Sequence, residues 1–180
     1  AAESVEALLG SSKKKSISAQ HEDVTSLVKN EPAKVNPRIQ EAFDRARDRH
    51  KENSDEKTEF SLAEGIYNEY LRYIDSVFTR YATHKDFNIA EISETVKKLC
   101  VFVKDWSRYI LRITPTQEEH SKRYLVYHSM RTTVLAISIG LQLNMVMTKL
   151  VELGVATLLH EIGMLKLPPQ IYMSTKPLSS

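Results

Sequence analysis

The chain has 180 residues and a mass of 20.6 kDa, room for one modest domain or a small domain with an appendage, and 42% hydrophobic residues are enough to build a core. Its 25 Lys and Arg against 23 Asp and Glu leave a formal charge of +2, too near balance for electrostatics alone to point to nucleic acid or an anionic membrane. A single cysteine, Cys100, excludes an intramolecular disulfide framework and a multi-cysteine metal site, and fits a reducing, cytoplasmic compartment. Charge interrupts every apolar run well before the roughly 18 residues of a membrane span, and the Ala1-Ala2-Glu3-Ser4 start lacks a basic segment followed by an apolar one. Neither a membrane helix nor a signal peptide is expected in this stretch.

Only 5 Gly and 6 Pro argue against a many-stranded β fold, whose hairpins would need glycine turns, and the apolar period is helical nearly throughout. The expected fold class is therefore all-α, a helical bundle. Residues 1–58 read as a polar N-terminal arm or linker with one helix. Ser11 to Ser16 and Glu52 to Lys57 look like linker, and Lys13-Lys14-Lys15 reads as a solvated tail. The helix opens with Asn36 as N-cap and Pro37 at its first position, then carries Ile39, Ala42, Phe43 and Ala46. Its alternating Arg45, Arg47, Arg49 and Asp44, Asp48 read as an ion-paired solvated face.

Residues 59–115 read as a helical hairpin. Ser61-Leu62-Ala63-Glu64 is a capping box, and Leu62, Ile66, Tyr70, Ile74, Val77 and Tyr81 follow at steps of three and four. Asn88 with Glu91 starts the second helix, which carries Ile92, Val96, Leu99, Val103, Trp106 and Ile110 and ends at Thr114-Pro115. Tyr67, Tyr70, Tyr73, Phe78 and Tyr81 lie at helical spacing and are read as core. Cys100, between Leu99 and Val101, reads as a buried small hydrophobe.

In residues 116–180 charge thins. Thr116-Gln117-Glu118-Glu119 is another capping box, opening a helix expected to run to about Leu143 with Asn144 ending it. From about Thr148 the next helix reads Leu150, Val151, Leu153, Val155, Ala156, Leu158, Leu159 and Ile162. It is apolar around nearly its whole circumference, so it is expected to be central and buried on all sides. After Gly163 the pattern stops, and Leu167-Pro168-Pro169-Gln170-Ile171-Tyr172 reads as an extended loop.

Polar groups at the end of a buried helix are costly unless hydrogen-bonded or bound to a metal, which singles out His160 and Glu161. His128, beside Leu125, Leu135 and Ile139, is expected to face inward from the preceding helix. Two imidazoles and a carboxylate are half of a site for Mn, Fe or Zn; on spacing alone the more ordinary reading is two satisfied core histidines and a carboxylate at a helix end. His21, His50, His84 and His120 sit in polar contexts without partners at ligand spacing. No Gly-rich phosphate loop, Gly-x-Ser-x-Gly or His-Glu-x-x-His occurs.

Tyr124-Leu-Val-Tyr127-His128-Ser129, an apolar helix, and then His160-Glu161-Ile162-Gly163-Met164-Leu165-Lys166-Leu167-Pro168 resemble the HD superfamily of metal-dependent phosphohydrolases, and more narrowly its HD-GYP branch. Lys176-Pro177-Leu178 is similar to a loop of that branch. The resemblance implies that residues 116–180 are the N-terminal part of an HD-type domain, that His128, His160 and Glu161 are metal ligands, and that the substrate class is a cyclic dinucleotide, cyclic di-GMP. Glu161 stands where the family has Asp, and Met164 stands where it has a Lys that helps polarise the phosphate. Further His ligands, a distal Asp and the Gly-Tyr-Pro motif have no counterpart before Ser180. The expectation is thus a partial domain without confident catalytic residues, inactive alone and holding metal weakly or not at all. The competing reading is a degenerate domain that senses a nucleotide, signals or dimerises. With fewer neighbours than an intact domain provides, the apolar helix is expected to drive a homodimer.

Overall fold

Helices form where start signals and apolar period agree. The structure, a computed structural model, describes residues 34–52, 55–84, 86–114 and 123–173, which all belong to one compact unit. Among them are six α-helices and no strand: α1 (Pro37–Glu52), α2 (Glu56–His84), α3 (Ile89–Ile110), α4 (Tyr124–Gln142), α5 (Met147–Leu159) and α6 (Pro169–Tyr172), with a 3-10 turn over Ile162–Lys166 between the last two. The all-α expectation holds. The capping box at 116–119, the lysine run and the Lys176-Pro177-Leu178 loop lie outside the described residues.

Asn36 caps α1 as expected: its Oδ1 accepts the Arg38 N–H at 3.1 Å. The same residue ties the helix down, since its backbone N–H donates to Thr95 Oγ1 at 3.3 Å and its amide to Glu91 Oε1 at 3.4 Å, both on α3. With Ile39, Ala42 and Ala46 buried, α1 is part of the core and not a projecting arm. Phe43 meets Phe102 of α3 edge-on at 5.7 Å, and Tyr70 of α2 stacks on the same ring at 6.0 Å.

Helix α2 starts at Glu56, five residues before the Ser61 capping box. Asp55 provides the cap, its carboxylate accepting from the Thr58 hydroxyl and its carbonyl from the Glu59 N–H, and the Thr58 hydrogen bond holds the Asp55 carboxyl below its usual range. The charged run looks like linker, yet Glu56 and Glu59 in a first turn complement the helix dipole. Asn88 caps α3 through the Glu91 N–H at 3.1 Å. The predicted stripes of α2 and α3 are buried except for the half-buried Tyr81 and Trp106.

Asn144 ends the α4 segment in the left-handed region, φ 54°, and α5 follows at Met147. The expectation that α5 is buried on every side is corrected. Only Leu150, Gly154 and Leu158, one row at a spacing of four, are buried; Val151, Leu153 and Val155 are half-buried and Ala156 is exposed. An apolar circumference permits burial all round, but neighbours on one side, α3 and α4, provide it here. Leu135 and Ile139 are likewise exposed, by 46% and 60%, and with Leu143 and Val146 form an open apolar stripe. The loop expected at 167–172 is extended only at Leu167 and Pro168, because Pro169, favourable at a first helical position, starts the short α6.

Gly154 sets how closely α5 sits, and Gly140 adds a second close approach to a more yielding side chain. A Cβ at Gly154 would lie 2.6 Å from Val96 Cγ1 of α3 and 3.3 Å from Ile137 Cδ1 of α4; one at Gly140 would lie 2.6 Å from Leu150 Cδ1. Gly65, on the exposed side of α2, has nothing within 4 Å of such an atom. Gly65→Ala should therefore stabilise the fold by about 0.5–1 kcal/mol through chain entropy, whereas Gly154→Ala should destabilise it by about 1–2 kcal/mol, overpacking against a stiff β-branched neighbour exceeding the propensity gain. Urea denaturation of both variants checks this; shifts of the same sign would contradict the close approach.

Candidate metal centre

The centre is assembled at one end of the α4–α5 pair. His128 occupies the second turn of α4, His160 is the C-cap of α5, and Glu161 follows directly before the 3-10 turn. The three residues singled out in the sequence do come together. His128 Nε2 lies 3.3 Å from His160 Nε2, and Glu161 Oε1 lies 3.8 Å from the first and 3.6 Å from the second. They are the one group of three potential metal ligands among the described residues.

Those distances have the size of a coordination polyhedron's edges. A point equidistant from the three atoms lies about 2.1 Å from each, the length of a zinc–nitrogen or zinc–carboxylate bond. The protonation pattern suits the same use. His160 Nδ1 is 2.6 Å from the Thr157 carbonyl, which can only accept, so Nδ1 carries the proton and the Nε2 of a neutral ring offers a lone pair to the cluster. With that tautomer at His160, a hydrogen bond across the 3.3 Å gap requires the proton on His128 Nε2. Each histidine side chain is 35% exposed and Glu161 26%, so the cluster opens to solvent on one side instead of facing the core. His128 does not point inward among Leu135 and Ile139: its ring lies flat against Tyr124, one turn earlier on the same face, with centroids 5.5 Å apart.

Tyr172 of α6 stacks in turn on Tyr124 at 6.4 Å, which extends the shelf beneath His128. Neither this stack nor the Thr157 carbonyl was read from the sequence. The signals were there, Tyr124 and His128 at i, i+4 and Thr157 and His160 at i, i+3, both spacings that put side chains on one helix face. Ser129, the next residue of the motif, is fully buried, and among the described residues its hydroxyl has no hydrogen-bond partner.

Met164 lies in the 3-10 turn, where its N–H donates to the Glu161 carbonyl at 2.9 Å and its side chain packs half-buried against the core. Among the described residues, no Lys or Arg forms an ion pair with Glu161; only the two imidazoles approach it. Lys166 is exposed. His50 pairs with Glu59, and His84 Nδ1 lies 2.7 Å from Thr83 Oγ1, neither with a further ligand; His21 and His120 lie outside the described residues. Burial pushes the Cys100 thiol up to about 11 and the Tyr67 phenol to about 12, so both stay protonated at neutral pH, as expected of core residues.

No helix among the described residues is long and apolar enough to cross a membrane. The chain matches no protein-family model, no curated protein and no solved structure.

Proposed function

We propose that residues 116–180 belong to an HD-type domain akin to the HD-GYP phosphohydrolases, which holds one divalent transition metal, Mn, Fe or Zn, weakly between His128, His160 and Glu161 and lacks phosphodiesterase activity toward cyclic di-GMP. The observation that carries the reading is the triangle of Nε2, Nε2 and Oε1, with edges of 3.3, 3.6 and 3.8 Å. A bound divalent ion supplies a lowered pKa for water and neutralises charge on a phosphate. The chain's own groups prepare the ligands. Thr157 fixes the His160 tautomer, Tyr124 limits rotation of the His128 ring, and the exposed side of the cluster leaves room for a fourth ligand. What argues against turnover is Met164, an apolar group where the resemblance calls for a cation beside the phosphate. Glu161 also places its carboxylate one methylene farther out than Asp would.

Calorimetric titration of chelator-treated protein with Zn or Mn should give one saturable site, weakened more than tenfold in His160→Ala and in Glu161→Gln. Cyclic di-GMP turnover with added Mn or Fe should be undetectable. No saturable binding, or binding indifferent to His160→Ala, contradicts the metal site; turnover abolished by His160→Ala contradicts the inactivity.

A second reading, a dimerising signalling module, is favoured by the open stripe of Leu135, Ile139, Leu143 and Val146, the first three at a spacing of four along α4. Sedimentation equilibrium at micromolar concentration should then give a dimer, converted to monomer by Ile139→Lys with Leu143→Lys. A wild-type mass of 20.6 kDa would remove this reading.

A further inference from the structure

Apart from the metal centre, a cavity of about 760 Å³ opens between the start of α1, the second half of α2 and the residue that caps α4. Four arginines line it, Arg38 of α1, Arg72 and Arg80 of α2 and the α4 N-cap Arg123, against the two carboxylates Asp75 and Asp86. In a chain that is nearly balanced overall, this is a local excess of positive charge. Part of it is already paired: Arg123 binds Asp75 at 3.1 Å and Arg72 binds Glu69. Arg38 and Arg80 have no ion pair among the described residues, and both are exposed. Thr79, also in the lining and exposed, adds a hydroxyl donor.

Size and spacing decide what fits. Arg72 and Arg80 are eight residues apart on α2, about 12 Å along the helix axis, so the charge extends over more than one phosphate can touch. Among the described lining residues the one ring is the His84 imidazole, with no Phe, Tyr or Trp, so recognition rests chiefly on the anionic part. Guanidinium forks match phosphate oxygens two at a time. We propose that this groove binds the phosphate chain of a small polyphosphate, inorganic or carried by a nucleotide. None of its lining residues belongs to the His128, His160 and Glu161 cluster.

The test is calorimetry on the metal-free full chain with inorganic tripolyphosphate, orthophosphate and ATP. Tripolyphosphate should bind at one site at least tenfold tighter than orthophosphate. Arg38→Gln with Arg80→Gln should weaken it at least tenfold, Arg80→Lys by less, and Arg131→Gln, exposed on α4 outside the groove, should leave it unchanged. ATP equal to tripolyphosphate identifies the bare phosphate chain as the ligand, and ATP much tighter identifies a nucleotide. No saturation, an unaffected double variant, an equal loss in Arg131→Gln, or a single-stranded RNA oligonucleotide binding more tightly through the same arginines overturns the proposal.

Discussion

Helix α5 lies against α3 and α4 at a distance that the lack of a side chain at Gly154 allows, and the candidate metal centre hangs on that contact. His160 is six residues beyond Gly154, about 9 Å along the same rigid rod. A displacement of α5 at the glycine is therefore carried to the imidazole. Metal–ligand distances tolerate about 0.2 Å, whereas a Cβ at Gly154 would stand 2.6 Å from Val96 Cγ1 and force a larger adjustment. The 3.3 Å between the two Nε2 atoms is thus a consequence of core packing as much as of the histidines themselves.

Exposure shapes what the cluster can do. With roughly two thirds of each imidazole and three quarters of the Glu161 side chain covered, the three groups are held in place, yet water still reaches them, so the metal-free state is not strongly penalised. That combination suits a site that takes up and releases an ion. The Tyr172, Tyr124 and His128 stack adds ring-to-ring contact on the covered side, while among the described residues no Lys or Arg pairs with Glu161. On the proposed reading binding and catalysis are separable: the ligand set argues for the first, and Met164 in place of a lysine argues against the second.

Much of the fold was legible because the signals were local. Asn36 and Asn88 sit where capping asparagines belong, and Ile66, Tyr70 and Ile74 recur at the period that burial on one face requires. The start of α2 was misplaced because Asp55 and Thr58 cap it inside a charged run that reads as linker, with Ser61 offering a plausible second start. The burial of α5 was overstated for a different reason: periodicity reports which faces are able to bury, and the number of neighbouring helices decides which faces do. At the candidate site the convergence was legible, since His128, His160 and Glu161 do come together. Their orientation was not, because it depends on ring stacking and on the Thr157 carbonyl, which no spacing specifies uniquely.

The most direct measurement is nitrogen NMR of the histidine rings in full-length protein, before and after one equivalent of zinc. The account predicts that the Nε2 resonances of His128 and His160 both shift on zinc addition while His160 Nδ1 remains protonated, donating to Thr157. A shift confined to one histidine, ligation through His160 Nδ1, or no change at either ring would contradict it.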